Sequence, residues 1–151
     1  MNVLRPNFEK RDGLITVIAQ DVNTRQVLMV AYTNEAGYRE TLATGKAVYW
    51  STSRNKRWLK GEESGDIQLV KNVLIDCDGD AVIFMVEQKG PGACHTKAPT
   101  CFYRTVRHEN NQFHLAPSAG AKENLPSMDT PVSSDIYGLS VEYTFVTNTP
   151  A

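Results

Sequence analysis

Asp76-Cys77-Asp78-Gly79-Asp80 places three carboxylates and a thiol within five residues, between two apolar runs, Ile67 to Ile75 and Ala81 to Val86. At neutral pH such a cluster repels itself unless a cation sits among its oxygens. The strand formers on either side make it the tip of a hairpin, and Asp78-Gly79 matches a type I′ turn, whose positive φ glycine adopts without steric cost. Any fold must therefore carry these acids at one end of a β-ribbon and bring positive charge to them.

All three cysteines fall between Cys77 and Cys101, a window of 25 residues. Cys94, with His95 beside it, and Cys101 follow the hairpin after Gly90-Pro91-Gly92. Ligand softness divides the donors: thiolate and imidazole suit zinc, and clustered carboxylates suit magnesium or calcium. Three thiolates with no fourth cysteine leave a position for water or substrate, which points to catalysis. The competing readings are a closed structural site of Cys77, Cys94, His95 and Cys101 in a non-catalytic zinc module, and unrelated buried thiols beside a solvated acidic turn. An EF-hand loop counted from Asp76 has its glycine at position 4 rather than 6, and Gly90-Pro91-Gly92 leaves no exiting helix. His95 could be a zinc ligand, a general base or a polar loop residue. His108 and His114 read as residues of a polar tail.

The densest basic segment is Arg54, Lys56, Arg57 and Lys60, interleaved with Ser51, Ser53 and Trp58. It is either a solvated loop or a phosphate site, in which arginine and lysine meet phosphate oxygens and the indole covers a flat ring. A net charge of −1 over 151 residues argues against a nucleic-acid binder. No apolar run is long enough to span a bilayer, three cysteines cannot all pair, and the N-terminus lacks a signal-peptide pattern. A single domain in a reducing cytoplasm is expected.

In chain order, Gly13–Gln20 and Val27–Tyr32 form an antiparallel hairpin around an Asp21–Arg25 turn. A short helix spans 34 to 44, capped by Thr33-Asn34 and ended by Gly45, with Tyr38 and Leu42 on one face. Ala47–Trp50 is a third strand, and 51–65 is a polar, partly basic loop. The acidic hairpin follows, then a Cys94–Cys101 loop and a strand over Cys101–Val106. Residues 108–134 are polar and read as a long loop or tail, and 135–147 offer a last strand in a C-terminal extension, 108–151, of the same domain.

Tyr49-Trp50-Ser51, Ser53-Arg54, Trp58, Lys60-Gly61-Glu62, Ser64-Gly65, Asp76–Asp80, Cys94-His95-Thr96 and Cys101-Phe102-Tyr103 together make the chain similar to phosphoribosyl-AMP cyclohydrolases from about Asp12 to Arg104, and the domain is taken as 1–107. The resemblance implies an α+β fold of mostly antiparallel strands with a short helix, intertwined as a homodimer. It implies magnesium at Asp76, Asp78 and Asp80, and zinc at Cys77, Cys94 and Cys101, with Cys77 from the partner subunit. It further implies a zinc- and magnesium-dependent ring-opening hydrolysis of an adenine nucleotide in histidine biosynthesis, with His95 as the catalytic candidate. Ser51, Ser53, Arg54, Trp58 and Lys60 are the expected substrate contacts. A nucleobase deaminase lacks support, because the chain has neither the His-x-Glu nor the Cys-x-x-Cys pattern. The chain departs from the family pattern at Thr52, around Trp58 at Arg57 and Leu59, and at Lys97, which stands at a frequent glycine and could add a phosphate contact. The tail is too short and polar for a second helical core.

Overall fold

A computed structural model of the chain describes residues 5–94 and 96–118. A 3₁₀ turn (Phe8–Arg11) leads into β1 (Leu14–Asp21), β2 (Val27–Asn34), α1 (Glu35–Thr44), β3 (Val48–Ser51), β4 (Lys56–Leu59), β5 (Gln68–Ile75), β6 (Ala81–Gln88), β7 (Arg104–Glu109) and β8 (Gln112–Pro117). The α+β class with mostly antiparallel strands is as expected.

Six strands form one sheet in the order β4-β3-β2-β1-β6-β5. The β1–β2 hairpin has Ile18 opposite Val30, and Asp21 closes its turn by accepting from the amides of Asn23 and Thr24 at 2.9 and 2.8 Å. α1 begins where the Asn34 side chain accepts from the Gly37 amide at 2.8 Å and ends at Gly45. Its inward face is Gly37 and Thr41, with Tyr38 half-buried against the core beside Phe8: the Thr41 hydroxyl accepts from the Val48 amide, whereas Leu42, expected on the same face as Tyr38, is exposed. The single parallel pairing among the described residues, β1 with β6, joins the acidic hairpin to the first one.

Alternation along β1 buries Ile15, Val17 and Ala19 on one face, where they meet Leu28, Tyr49, Val82, Phe84, Val86 and Phe8. The opposite face carries an apolar row across four strands, because Ile18 lies beside Val30 and Ile83, and Ile83 beside Leu74. Val30 and Leu74 are 49% and 43% exposed there.

Two segments differ from the sequence expectation. The 51–65 loop contains β4, because Asn55 takes φ 53° and turns the chain back to pair Arg57 with Trp50 and Trp58 with Tyr49. A charged strand is stable there because it lies at the sheet edge. The last strand of the core domain begins at Arg104 rather than Cys101, and 108–117 is no loop: Asn110 and Asn111, at φ 51° and 60°, turn β7 into β8. The proposed strand at 135–147 lies outside the described residues. No helix among the described residues is long and apolar enough to cross a membrane.

Candidate active site

The acidic tip is a five-residue turn rather than the expected two-residue type I′ turn. The Asp76 carboxylate accepts from the amides of Asp80 and Ala81 at 3.1 and 3.3 Å, which fixes the loop open, and only Gly79 within it takes positive φ. Ligand oxygens of Asp76, Asp78 and Asp80 lie within 4.8 Å of one another. In octahedral magnesium, bonds of about 2.1 Å separate ligand oxygens by about 3 Å along an edge and about 4.2 Å across, so the triad fits that ion with little adjustment. The fold supplies its own cations as well. Lys10 pairs with Asp78 and, at 3.1 Å, with Asp80, and the Arg11 Nε donates to Asp80 at 3.1 Å. Lys10 first, then Arg11, holds the Asp80 carboxyl down at about 2. Sequence reasoning missed both residues, whose only signal was a basic pair ahead of β1.

Cys94 is buried at the start of a tight turn in which the Lys97 amide donates to the Cys94 carbonyl at 2.9 Å and the Thr96 hydroxyl donates to Cys94 Sγ at 3.1 Å. The Cys101 amide donates to the Leu28 carbonyl at 2.8 Å, which ties the far end of the loop to β2. A hydrogen bond with Cys94, and then desolvation of the thiol in a residue that is otherwise exposed, pushes the Cys101 thiol well above its ordinary value. Two thiols close enough to share a proton fit a soft ion, which would displace that proton on binding. Cys77 stands apart and exposed at the hairpin tip. Among the described residues the aspartates alone gather three candidate ligand atoms within 4.8 Å. One chain thus brings together two of the three predicted thiols. His95 lies outside the described residues.

Between β4 and the Cys94–Cys101 loop lies a pocket of about 400 Å³, lined by Ser51, Arg54, Trp58, Lys60, Lys97 and Cys101 among others. Four of the five predicted substrate residues line it. Ser53 does not, and its hydroxyl lies 3.2 Å from that of Ser51, which also accepts from the Arg54 amide. Trp58 is braced by Tyr49 at 5.5 Å between ring centres, and the Lys60 ammonium lies 5.9 Å from its ring. Lys60 is buried, which lowers its pKa against the opposing pull of Asp66, Cys101 and Cys94. Arg57 also lines the pocket, and its guanidinium is held in an ion pair with Glu40 on α1.

The family model for phosphoribosyl-AMP cyclohydrolase matches residues 29–103, from β2 through both loop cysteines. A curated relative of that name from Methanothermobacter thermautotrophicus is 60% identical over 102 residues, covering 68% of this chain and 72% of its own length. The chain belongs to the phosphoribosyl-AMP cyclohydrolase family. Cyclohydrolases from Desulfotalea psychrophila and Geotalea uraniireducens are 52% and 49% identical, over 66% and 74% of this chain and 80% and 87% of theirs. The cyclohydrolase match takes in the aspartate triad, all three cysteines and the pocket-lining residues, whereas Lys10, Arg11 and the β7–β8 hairpin lie outside it.

Proposed function

We propose that this protein is a phosphoribosyl-AMP cyclohydrolase, hydrolysing the N1–C6 bond of the adenine ring to give a formimino-imidazolecarboxamide nucleotide in histidine biosynthesis. The observation that carries this reading is the pocket, which runs from a basic and aromatic wall to Cys101, whose thiol is hydrogen-bonded to that of Cys94. Arg54 and Lys60 would pair with phosphate oxygens while Trp58 packs along a flat ring. N1 substitution makes C6 electrophilic, so the remaining need is a nucleophilic water at the thiol end. Zinc bound by the thiolates would supply Lewis acidity that brings the pKa of water towards neutrality. His95, adjacent to a thiol ligand in sequence, is our candidate to take the proton. Asp76, Asp78 and Asp80 would hold magnesium, whose charge offsets that of the phosphates.

A homodimer accounts for the third thiol: an exposed Cys77 on one chain can complete Cys94 and Cys101 of another. The apolar row through Val30, Ile18, Ile83 and Leu74, exposed at Val30 and Leu74 and half-buried between them, supports association of copies. Free thiols suit a cytoplasmic protein.

Turnover of phosphoribosyl-AMP, followed by the absorbance change on ring opening, tests the reading. Activity that a chelator removes and added zinc and magnesium restore is expected. A protein that binds zinc yet gives no turnover under saturating magnesium would instead be a non-catalytic zinc module.

A further inference from the structure

Asp66 is an acid that the proposed reaction does not use, and its surroundings are unusual. Its side chain is 4% exposed, Oδ2 accepts from the Lys97 ammonium at 2.7 Å, and Oδ1 is buried with no hydrogen-bond partner among the described residues. A buried carboxylate oxygen without a donor is unfavourable, so something must hold it in place. Two glycines show how tightly. A Cβ on Gly90 would stand 1.9 Å from Asp66 Oδ1, and one on Gly61 would stand 2.4 Å from the Asp66 carbonyl carbon. Asp66 is therefore wedged where the Lys60–Ile67 loop, the Gly90–Gly92 segment and the Cys94 turn converge.

Lys97 is equally constrained. It takes φ 69°, a left-handed conformation that a lysine backbone disfavours, and its amide closes the turn on the Cys94 carbonyl. Its side chain remains 51% exposed at the pocket wall, yet the ammonium is committed to Asp66. Lys60, on the loop ending at Asp66, feels the charges of Asp66, Lys97, Cys94 and Cys101 together, so the pair sits within electrostatic reach of both thiols.

We infer that Asp66 and Lys97 form a positioning pair that clamps the Cys94 turn to the Lys60 loop, fixing the Cys94 thiol relative to the substrate pocket. Lys97 then serves through Cys94 rather than by touching a phosphate. Severing the ion pair should let the left-handed turn relax and move the thiol. The metal arm of the test rests on the reading of Cys94 as a zinc ligand, and the backbone arm does not.

The full-length protein would be compared with its Lys97→Met, Lys97→Arg and Asp66→Asn variants. In the metal-free protein, hydrogen exchange at the Cys94 and Lys97 amides should accelerate about tenfold in Lys97→Met if the clamp holds the turn. Cobalt affinity, by chelator competition, should fall about tenfold, with a shift of the thiolate-to-cobalt absorption. With phosphoribosyl-AMP, kcat should fall while KM changes little, and Lys97→Arg should recover most of each loss. Asp66→Asn should reproduce these effects, and combining it with Lys97→Met should add little, since one contact is lost either way. Unchanged exchange and cobalt affinity with a raised KM would overturn the proposal and make Lys97 a phosphate contact. Failure of the wild type to bind cobalt or zinc would sink the metal reading, and exchange would still decide the clamp. If Asp66→Asn does not fold, Lys97→Met carries the test.

Discussion

The carboxylates at the β5–β6 tip answer to different sets of neighbours: Asp76 to backbone amides, Asp78 to Lys10, and Asp80 to both Lys10 and Arg11. The repulsion evident in the sequence is thus relieved by two tethered cations of the chain itself. The Lys10 and Arg11 side chains are 41% and 60% exposed to competing solvent, and a divalent ion at the triad must displace or share the Lys10 ammonium. Lys10→Met removes that competitor without touching the core. Manganese binding followed by electron paramagnetic resonance should therefore tighten several-fold in the variant at low ionic strength, and the difference should shrink with added salt. Equal or weaker binding would show that Lys10 supports the occupied triad instead of competing for it.

At the scale of elements, β4 is fastened from the side by Arg57, which reaches Glu40 on α1. Its guanidinium, chiefly by hydrogen bonding, holds the Glu40 carboxyl below the ordinary glutamate value. A depressed carboxyl contributes stability that is present above the unfolded value of about 4.3 and is lost as pH falls through the folded value. Arg57→Met should accordingly lower Tm modestly at pH 7, by a few degrees at most for a solvent-facing pair, and leave no difference once pH is well below 4. A difference that persists in acid would mean that Arg57 acts through the packing of its stem. This contact also explains what the sequence left hidden. β1, β2, α1 and the acidic hairpin are legible because their alternation, caps and turn residues are local. β4 is not, because a run of charges looks like loop until an edge pairing with β3 is available. The parallel β1–β6 pairing, Lys10 on Asp78 and Lys97 on Asp66 join segments far apart in the chain, and one sequence carries no local sign of them. The donor types of the site could be read, whereas the way Cys94 and Cys101 meet while Cys77 stands apart could not.

For the molecule as a whole, that separation is the central fact, since Cys77 rides the tip of the hairpin while Cys94 and Cys101 share a loop tied to β2. An apolar row on the outer sheet face gives two copies a surface through which to approach, and a two-fold interface would form two equivalent sites. Subunit complementation distinguishes a shared site from one built within a chain. Cys77→Ser and Cys94→Ser proteins, each expected to be inactive alone, are mixed under conditions of subunit exchange. In a mixed dimer with shared sites, one site carries both lesions, and the other combines an intact Cys77 from one chain with an intact Cys94 and Cys101 from the other. Random reassortment makes about half the dimers mixed, so roughly a quarter of all sites should recover activity. If every ligand came from one chain, each site would keep its lesion and mixing would restore nothing. Exchange verified by mass spectrometry without regained turnover would therefore reject the shared site and require Cys77 to reach the thiol pair by rearrangement of its own hairpin.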